Sequence, residues 1–568
     1  MRNQEIANIF HEIAELLEIQ GEIQWKVLAY RRAARTIENL SQNISEVIGK
    51  EKLPGIGKAI ETKINEILET GKLEYYENLK KEIPPVLVQI IQIPSIGPKT
   101  AKLLYDNLHI KTLEDLEKAA RTHQVQRIKG IGPKTEKAII DGLQNLNKQQ
   151  RTLLGEILPV ANRICEDLRS LSEVKQISVA GSIRRRKETI RDIDILVTSD
   201  KPEKVMQVFT SLEPVKEVIL HGPTKSTVIV KRDIQVDLRV VEDDSYGAAL
   251  LYFTGSKEHN VALRTMLVQM GYKLNEYGLF LNENDQKVAG KTEEELYKAC
   301  GMDWIPPELR EDRGEIAAAQ AHTLPTLVEL GDIKGDLHIH TSYSDGENTI
   351  EEMMEGAKQR GYEYIAITDH TGDLKIANAI DEETLLKQIE LIHNLNEQEN
   401  GIRILAGAEA NIDLEGNLDI SEDIMQKLDF VIGGVHSKLK RPRKEITDRV
   451  VNALSNKYLT ILAHPIGRLL NKREGADLDL TEVFETAKKY GKVLEINAYP
   501  QRLDLSDINS RAASQQGILI EVGTDAHSVN ELEYMDLGVS VARRGWLEKK
   551  DILNTLPLKD LLKKLRIK

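Results

Sequence analysis

Cysteine is almost missing from this 568-residue chain: Cys165 and Cys300 are the two there are. Two thiols cannot make a disulfide framework, and their spacing is not that of a zinc site. Aromatic residues are sparse, at 4%. No apolar run is long enough to span a bilayer. The opening stretch, MRNQEIANIFHEIAELL, has the pattern of an amphipathic helix and lacks a secretory apolar core, so a cytoplasmic protein without a membrane partner is expected. Positive charge is also short. The net of −13 argues against a protein that coats nucleic acid through a global field. The balance is uneven, however. Residues 1–150 carry 22 Lys+Arg against 20 Asp+Glu, so the acidity lies entirely in the remainder. Any nucleic-acid contact must therefore be local, made by patches and backbone amides.

What is present is enough for several folded units. The apolar fraction is 41%, ordinary for packed cores. The length predicts three or four domains. Residues 1–145 show apolar periods near 3.6 and read as helical. Residues 150–300 alternate helices with strands: QISVAGS, DIDILVT, STVIVKR and IQVDLRVV. The stretch 301–335 clusters proline and charge and reads as a linker. From 336 onward strands and helices alternate again, as in an α/β barrel.

One short pattern occurs three times in the helical region: Leu53-Pro-Gly-Ile-Gly-Lys, Ile93-Pro-Ser-Ile-Gly-Pro-Lys and Ile128-Lys-Gly-Ile-Gly-Pro-Lys. A G-x-G turn opening a helix aims successive backbone N–H groups at one point, which suits a phosphate. One copy would read as an interhelical loop. Three copies, each with a nearby lysine, favour phosphate contact by Gly55, Gly57, Gly97, Gly130 and Gly132. Ser95 stands at the first glycine position of the middle copy, so its grip is expected to be poorer. The turns resemble helix-hairpin-helix motifs, which hold the DNA backbone without reading sequence.

Asp192 and Asp194 flank one residue on a predicted strand and so share a face. Asp237, in IQVDLRVV, can join them from a neighbouring strand. Three carboxylates there can hold two Mg²⁺ ions. Solvated edge acids are the alternative, but the alternating Ile193, Ile195 and Val197 require one buried face. Upstream, Gly181-Ser182 and the basic residues after it form a turn able to hold a triphosphate.

Farther on, nine metal-type ligands sit in short punctuated motifs: His338, His340, Asp345, His370, Glu409, His436, His464, Asp525 and His527. Most follow a short apolar run such as YIAI, FVIGG or LTILA, where a strand ends and a loop begins. A barrel collects such ends at one mouth. A lone histidine is more often packing than ligand, but six of the thirteen histidines fall in these motifs. Nine ligands are too many for one ion and fit two or three, which points to phosphate-ester hydrolysis. Mixed imidazole and carboxylate suit Mn²⁺, Zn²⁺ or Fe²⁺. Arg468, Lys438 and Lys440 lie near these motifs, as substrate-phosphate contacts or as surface charge.

Gly181-Ser182 with Arg184-Arg185, Asp192-x-Asp194, Asp237-x-Arg239 and Tyr252-Phe-Thr-Gly-Ser256 resemble the family X DNA polymerases over about residues 1–315. The resemblance implies that Asp192 and Asp194 bind both metals and that Asp237 helps activate a primer 3′-hydroxyl. It implies triphosphate contacts from Ser182 and Arg185. Tyr252, Phe253 and Gly255 would form a sugar pocket, with minor-groove contacts from Asn260 and Arg264. Lys63 matches a Schiff-base lysine of a deoxyribose-phosphate lyase, with Tyr30 beside it and Trp25 in place of a histidine. A solvated helix lysine is the competing reading of Lys63. Arg186 and Arg191 stand where animal relatives often have glycine.

The nine-ligand segment resembles the PHP (polymerase and histidinol phosphatase) domain, a distorted seven-stranded β/α barrel with Glu409 as a bridging carboxylate. The order of parts resembles the bacterial and archaeal family X polymerases. The expected fold is multidomain, and its first half comprises a helical 8-kDa-like domain (1–85), a second helix-hairpin-helix domain (86–150) and a nucleotidyltransferase palm (151–240). A nucleotide-selection domain (241–315), a linker (316–335) and a (β/α)7 PHP barrel (336–568) complete it. The expected function is gap-filling DNA polymerase with a PHP 3′–5′ exonuclease and cleavage at abasic or damaged ends, acting as a monomer on gapped or primer-template DNA with dNTPs. A small-molecule phosphoesterase on a DNA-binding scaffold and a non-catalytic DNA-end binder are the alternatives.

Overall fold

The computed structural model describes residues 3–567 apart from 39, 41–42, 51, 92, 94–95, 109, 129, 133–134, 138, 141–150, 373–377 and 399–400. The chain divides into two compact units, Met1–Gln150 and Arg151–Lys568. Among the described residues, no helix is long and apolar enough to cross a membrane.

The first unit is helical, as the 3.6 period predicts. Asn3–Gln20 and Gln24–Glu38 pack together, burying Ile6, Phe10, Ile13 and Leu17 against Tyr30, Ala33, Ala34 and Ile37. The remaining helices join the same core through Ile64, Ile67, Ile90 and Leu104.

The second unit holds everything else in one compact body. Its first sheet orders five strands as Val174–Val179, Asp192–Ser199, Ile234–Val241, Lys225–Val230 and Val215–His221. The pairing of Asp192–Ser199 with Ile234–Val241 is parallel; the others are antiparallel. All four strands read from the sequence are present. The Leu154–Arg169 and Pro202–Thr210 helices cover the buried face through Ile157, Ile164, Val205 and Phe209. A separate small core gathers around Leu251, Leu263, Leu279 and Tyr297.

The stretch 301–335 is not an extended spacer. It carries the Glu315–Gln320 helix and buries Ile305, Leu309, Arg310, Ala319, Leu327 and Val328. Proline and charge marked it as a linker because its burial comes from partners distant in the chain. Val328, for example, donates its N–H to the Leu547 carbonyl.

From 335 onward every sheet pairing is parallel. Gly335–Ile339, Tyr364–Ile367 and Arg403–Ala406 form a three-stranded sheet. Glu409–Asn411, Val431–Gly434, Leu459–Leu462, Val493–Asn497 and Ile520–Gly523 form a five-stranded one. Most of these strands are buried along their whole length, and Tyr364–Ile367 and Val431–Gly434 are continuous apolar runs because both faces are covered. The expected seven-stranded ring is thus two sheets. Single parallel bridges, Ile339 to Ala526 and His370 to Glu409, stand between them. Residues of both sheets share one apolar cluster (Leu337, Tyr364, Leu405, Ile432, Ile461), to which Leu561 of the Leu558–Leu565 helix adds. The two cysteines are buried and free.

Candidate functional site

In the first unit the three glycine turns share two hydrogen bonds. The N–H of Ile56, Ile96 and Ile131 donates to the carbonyl of Leu53, Ile93 and Ile128 respectively, at 3.0–3.2 Å. The carbonyls of Gly57, Gly97 and Gly132 then accept from Glu61, Ala101 and Glu136, four residues on, starting a helix each time. Gly55 and Gly130 have φ of 74° and 96°, the region that favours glycine. A Cβ added at Gly57, Gly97, Gly130 or Gly132 would meet nothing, so these backbones face open space. Ser95 lies outside the described residues. Lys63 is on the Lys58–Thr70 helix with its Nζ 4.6 Å from the Tyr75 ring centre. Tyr75 stacks on the buried Tyr30, so the structure brings Lys63 and Tyr30 into one aromatic cluster. Trp25 is 67% exposed.

In the second unit the three sheet aspartates meet. Strand register sets Asp194 directly opposite Asp237, with Asp192 two residues before on the same face. Burial first, then repulsion from Asp192 and Asp237, pushes the Asp194 carboxyl up to about 7. That like-charge crowding is what bound cations would relieve. Asp237 accepts from the Thr227 hydroxyl at 2.6 Å and faces the Lys225 ammonium at 3.6 Å. Gly181, at φ 61°, packs against this cluster: a Cβ there would stand 2.7 Å from Asp194 Oδ2. Close approach, as well as conformation, demands glycine.

Gly181–Arg184 forms one short helical turn, and Arg185 ends it. The Arg185 guanidinium donates to Glu311 Oε1 at 3.1 Å and to the Thr254 carbonyl. Gly255 lies against it, where a Cβ would come within 3.0 Å of Nη1. Tyr252 and Phe253 make an edge contact at 5.1 Å, and Arg239 lies over the Phe253 ring at 4.7 Å. Asn260 donates to the Tyr252 carbonyl at 2.7 Å, and Arg264 to the Asn260 carbonyl at 3.2 Å. The structure thus brings Arg185 to Gly255 and Asn260 to Tyr252.

The nine ligand candidates of this segment converge. Glu409 is 1% exposed and central. Its Oε1 lies 3.1 Å from His436 Nε2 and 3.0 Å from His464 Nε2. Its Oε2 lies 2.9, 3.4 and 3.5 Å from ring nitrogens of His370, His338 and His340. Asp525 Oδ1 is 3.2 Å from His340 Nε2, and Asp345 Oδ1 is 3.3 Å from His527 Nε2. Three ligand groups result: His340, Asp345, His370 and His527; His338, His340 and Asp525; His370, Glu409 and His436. The Nδ1 atoms of His340 and His464 are buried without a hydrogen-bond partner. Orphaned buried atoms of this kind are costly unless a ligand satisfies them. The donor set therefore fits several divalent ions.

The electrostatics divide the histidines: burial lowers His338, His370 and His527, but the nearby carboxylates outweigh it and raise all three, His527 to about 9. Burial opposes charge on Glu409, yet His370, His436 and His338 hold it well below the usual carboxylate range. Burial, then His370 and His527, lowers His340 to about 3, leaving it neutral as a ligand must be.

Several residues around the ligands were not singled out in the sequence. Glu495 accepts from the His464 backbone and lies 2.5 Å from His338 Nδ1. Asn497 donates to Asp525 Oδ2 at 3.0 Å, and Asn411 lies 3.3 Å from His436 Nδ1. Such partners fix ring orientation. The alternation in VLEINA, with Glu495 and Asn497 on one face, was the available signal. Arg502, 3.4 Å from Asp525 Oδ2, had none. Lys438 and Lys440 are exposed in the loop after Val431–Gly434. Arg468 is largely buried and ion-paired, so surface charge does not describe it. It pairs with Glu188 of the first sheet's turn and donates to the Arg502 and Leu503 carbonyls.

Comparison with known proteins follows the same division. Residues 1–73 match a helix-hairpin-helix domain and 88–145 a SAM-like helix-hairpin-helix tandem. Residues 249–311 match the DNA polymerase beta thumb and 336–499 the PHP domain. The chain is 37% identical over 564 residues to the DNA polymerase/3′-5′ exonuclease PolX of Bacillus subtilis (strain 168), covering 99% of both. A probable phosphatase of Thermoanaerobacter sp. (strain X514) is 32% identical over 231 residues, 39% of this chain and 89% of that protein. One of Acetivibrio thermocellus is 34% identical over 212 residues, 35% and 82%.

Proposed function

Because this chain belongs to the bacterial PolX family of family X DNA polymerases, we propose that it extends DNA 3′ ends at Asp192, Asp194 and Asp237. It trims them at the nine-ligand cluster. The observation that carries the reading is the presence, in one chain, of two separate constellations suited to divalent ions. Mg²⁺ at the aspartates, and Mn²⁺, Zn²⁺ or Fe²⁺ at the cluster, would supply Lewis-acid charge to activate the attacking hydroxyl or water and to steady the leaving oxygen.

The chain's own residues do the rest. Asp237 draws the proton from a primer 3′-hydroxyl, and its position opposite Asp194 with a hydrogen bond from Thr227 supports this role. The amides of the Gly181 turn, with Ser182 and Arg185, bind the triphosphate. Tyr252, Phe253 and Gly255 line the sugar, while Asn260 and Arg264 reach the minor groove. The glycine turns at 53–57, 93–97 and 128–132 grip backbone phosphates on either side of a gap. At the second site Glu495, Asn497 and Asn411 orient the ligands. The two parallel sheets read as one distorted barrel whose strand ends carry the cluster; the shared interior around Leu337, Leu405 and Ile461 supports this.

The test uses one gapped duplex labelled at the primer 3′ end. Asp192→Ala with Asp194→Ala should abolish extension and leave release of dNMP. His338→Ala with His340→Ala should do the reverse. Loss of both activities in one variant would sink the two-site assignment. Release of phosphate from small esters without dNMP from DNA would favour a phosphatase instead.

A further inference from the structure

Residues 181–188, which include the triphosphate contacts proposed above, are held from behind by the PHP part of the same compact unit. Three consecutive arginines of this turn each meet a different acid. Arg184 forks onto Glu293 at 2.8 Å, and Arg185 reaches Glu311 at 3.1 Å. Arg186 reaches Asp536, on the Met535–Arg544 helix of the PHP part, at 3.0 Å. Arg186 adopts φ 54°, a conformation glycine takes more easily, while making this contact.

The tie is continued by Arg544, at the end of the same helix and 2% exposed. It donates to the Arg185 carbonyl at 2.7 Å, to Glu311 at 3.0 Å and to Asp507 at 2.9 Å. Glu311 is therefore shared by Arg185 and Arg544. If Arg185 turns toward a triphosphate, Arg544 keeps Glu311 paired, and no unpaired buried carboxylate is left behind. At the far end of the turn, Glu188 is gripped by Arg468. The packing beneath is equally close: a Cβ on Gly155, in the adjoining helix, would stand 2.8 Å from Leu537 and 2.9 Å from Pro500.

We propose that the PHP part is the rigid backing of the polymerase's triphosphate turn, with Arg544, Asp536 and Arg468 as positioning residues for nucleotide binding. This rests on the reading that the turn holds the triphosphate. A turn binds an anion through its amides only while its shape is kept, and here that shape is kept by side chains from the nuclease half.

The experiment is single-nucleotide gap filling by the full chain, with KM for dNTP and kcat measured separately. Asp536→Ala should raise KM about fivefold and Arg544→Met more than about tenfold, each with a smaller change in kcat. The swap Arg186→Asp with Asp536→Arg should restore most of the loss. Asp536→Ala should leave 3′–5′ degradation unchanged. The Arg186–Asp536 pair is partly exposed, so Asp536→Ala keeps the test available should Arg544→Met fold poorly. An unchanged KM in Asp536→Ala, or a raised KM that the swap does not lower, overturns the proposal. Arg185→Ala is the separate check on the triphosphate reading. An unaltered KM there removes that reading, whereas a raised KM beside unaltered backing variants removes only the backing.

Discussion

Asp194 and Asp237 stand opposite each other on two neighbouring parallel strands, and that single register builds the proposed cation site. Replacing Asp237 with Asn keeps the shape and removes a negative ligand and a proton acceptor. Extension should fall on the order of 10²–10³-fold or more, with degradation intact. Primer extension and dNMP release on the same preparation check this.

The same crowding sets a pH dependence. With its carboxyl up near 7, Asp194 is largely protonated below that pH in the ion-free protein. Ions bind the deprotonated form, so Mn²⁺ affinity at this site should weaken as pH falls from 8 to about 6. Removing a repelling neighbour with Asp192→Asn should move the acid limb to lower pH. Mn²⁺ titration of a chain lacking the second cluster, across that range, would expose an acid limb that fails to move.

Glu409 touches ligands of every group at the second site, whereas His436 serves one edge. Glu409→Gln should lose more than one bound ion per chain, and His436→Ala fewer. Metal content after dialysis, read by elemental analysis, distinguishes the two. Chelation should abolish dNMP release by the wild type and added Mn²⁺ should restore it.

Glu293 anchors the Gly181–Arg184 turn to the thumb-like segment by pairing with Arg184 and the fully buried Arg310. Burial pushes its carboxyl up, but Arg310 and Arg184 outweigh that and hold it well below the usual range. A depressed carboxylate contributes stability that is fully present above its unfolded value and is lost as pH falls through the folded one. Glu293→Gln should therefore cost about 3–5 kcal/mol near neutral pH, and progressively less in acid. Trp304, whose Nε1 donates to Glu293 at 3.0 Å, is a local fluorescence probe of that unfolding.

Lys63 is engaged with the Tyr75 ring. It is expected to serve as a ring contact and not as a nucleophile, so borohydride should trap no adduct with a 5′-deoxyribose-phosphate substrate. An adduct that disappears in Lys63→Ala would assign it a lyase role instead.

Local pattern determined much of this protein. Helical periodicity set the first unit, and repeated glycines set three turns that share the same two hydrogen bonds. Alternation placed Asp192 and Asp194 on one face, and the ligand motifs named Glu409 and the five histidines around it. Each of these depends on a residue and its near neighbours, which sequence displays directly. Tertiary structure decided the rest. Proline and charge in 301–335 read as a spacer, yet the stretch is packed, because burial there is supplied by partners such as Leu547. Arg468 sits beside a ligand motif, but its partner Glu188 lies 280 residues away. Arg186 looked like an unexplained departure until the fold set Asp536 against it. Charge pairing is set by proximity in space, and no spacing along the chain records which acid each arginine meets.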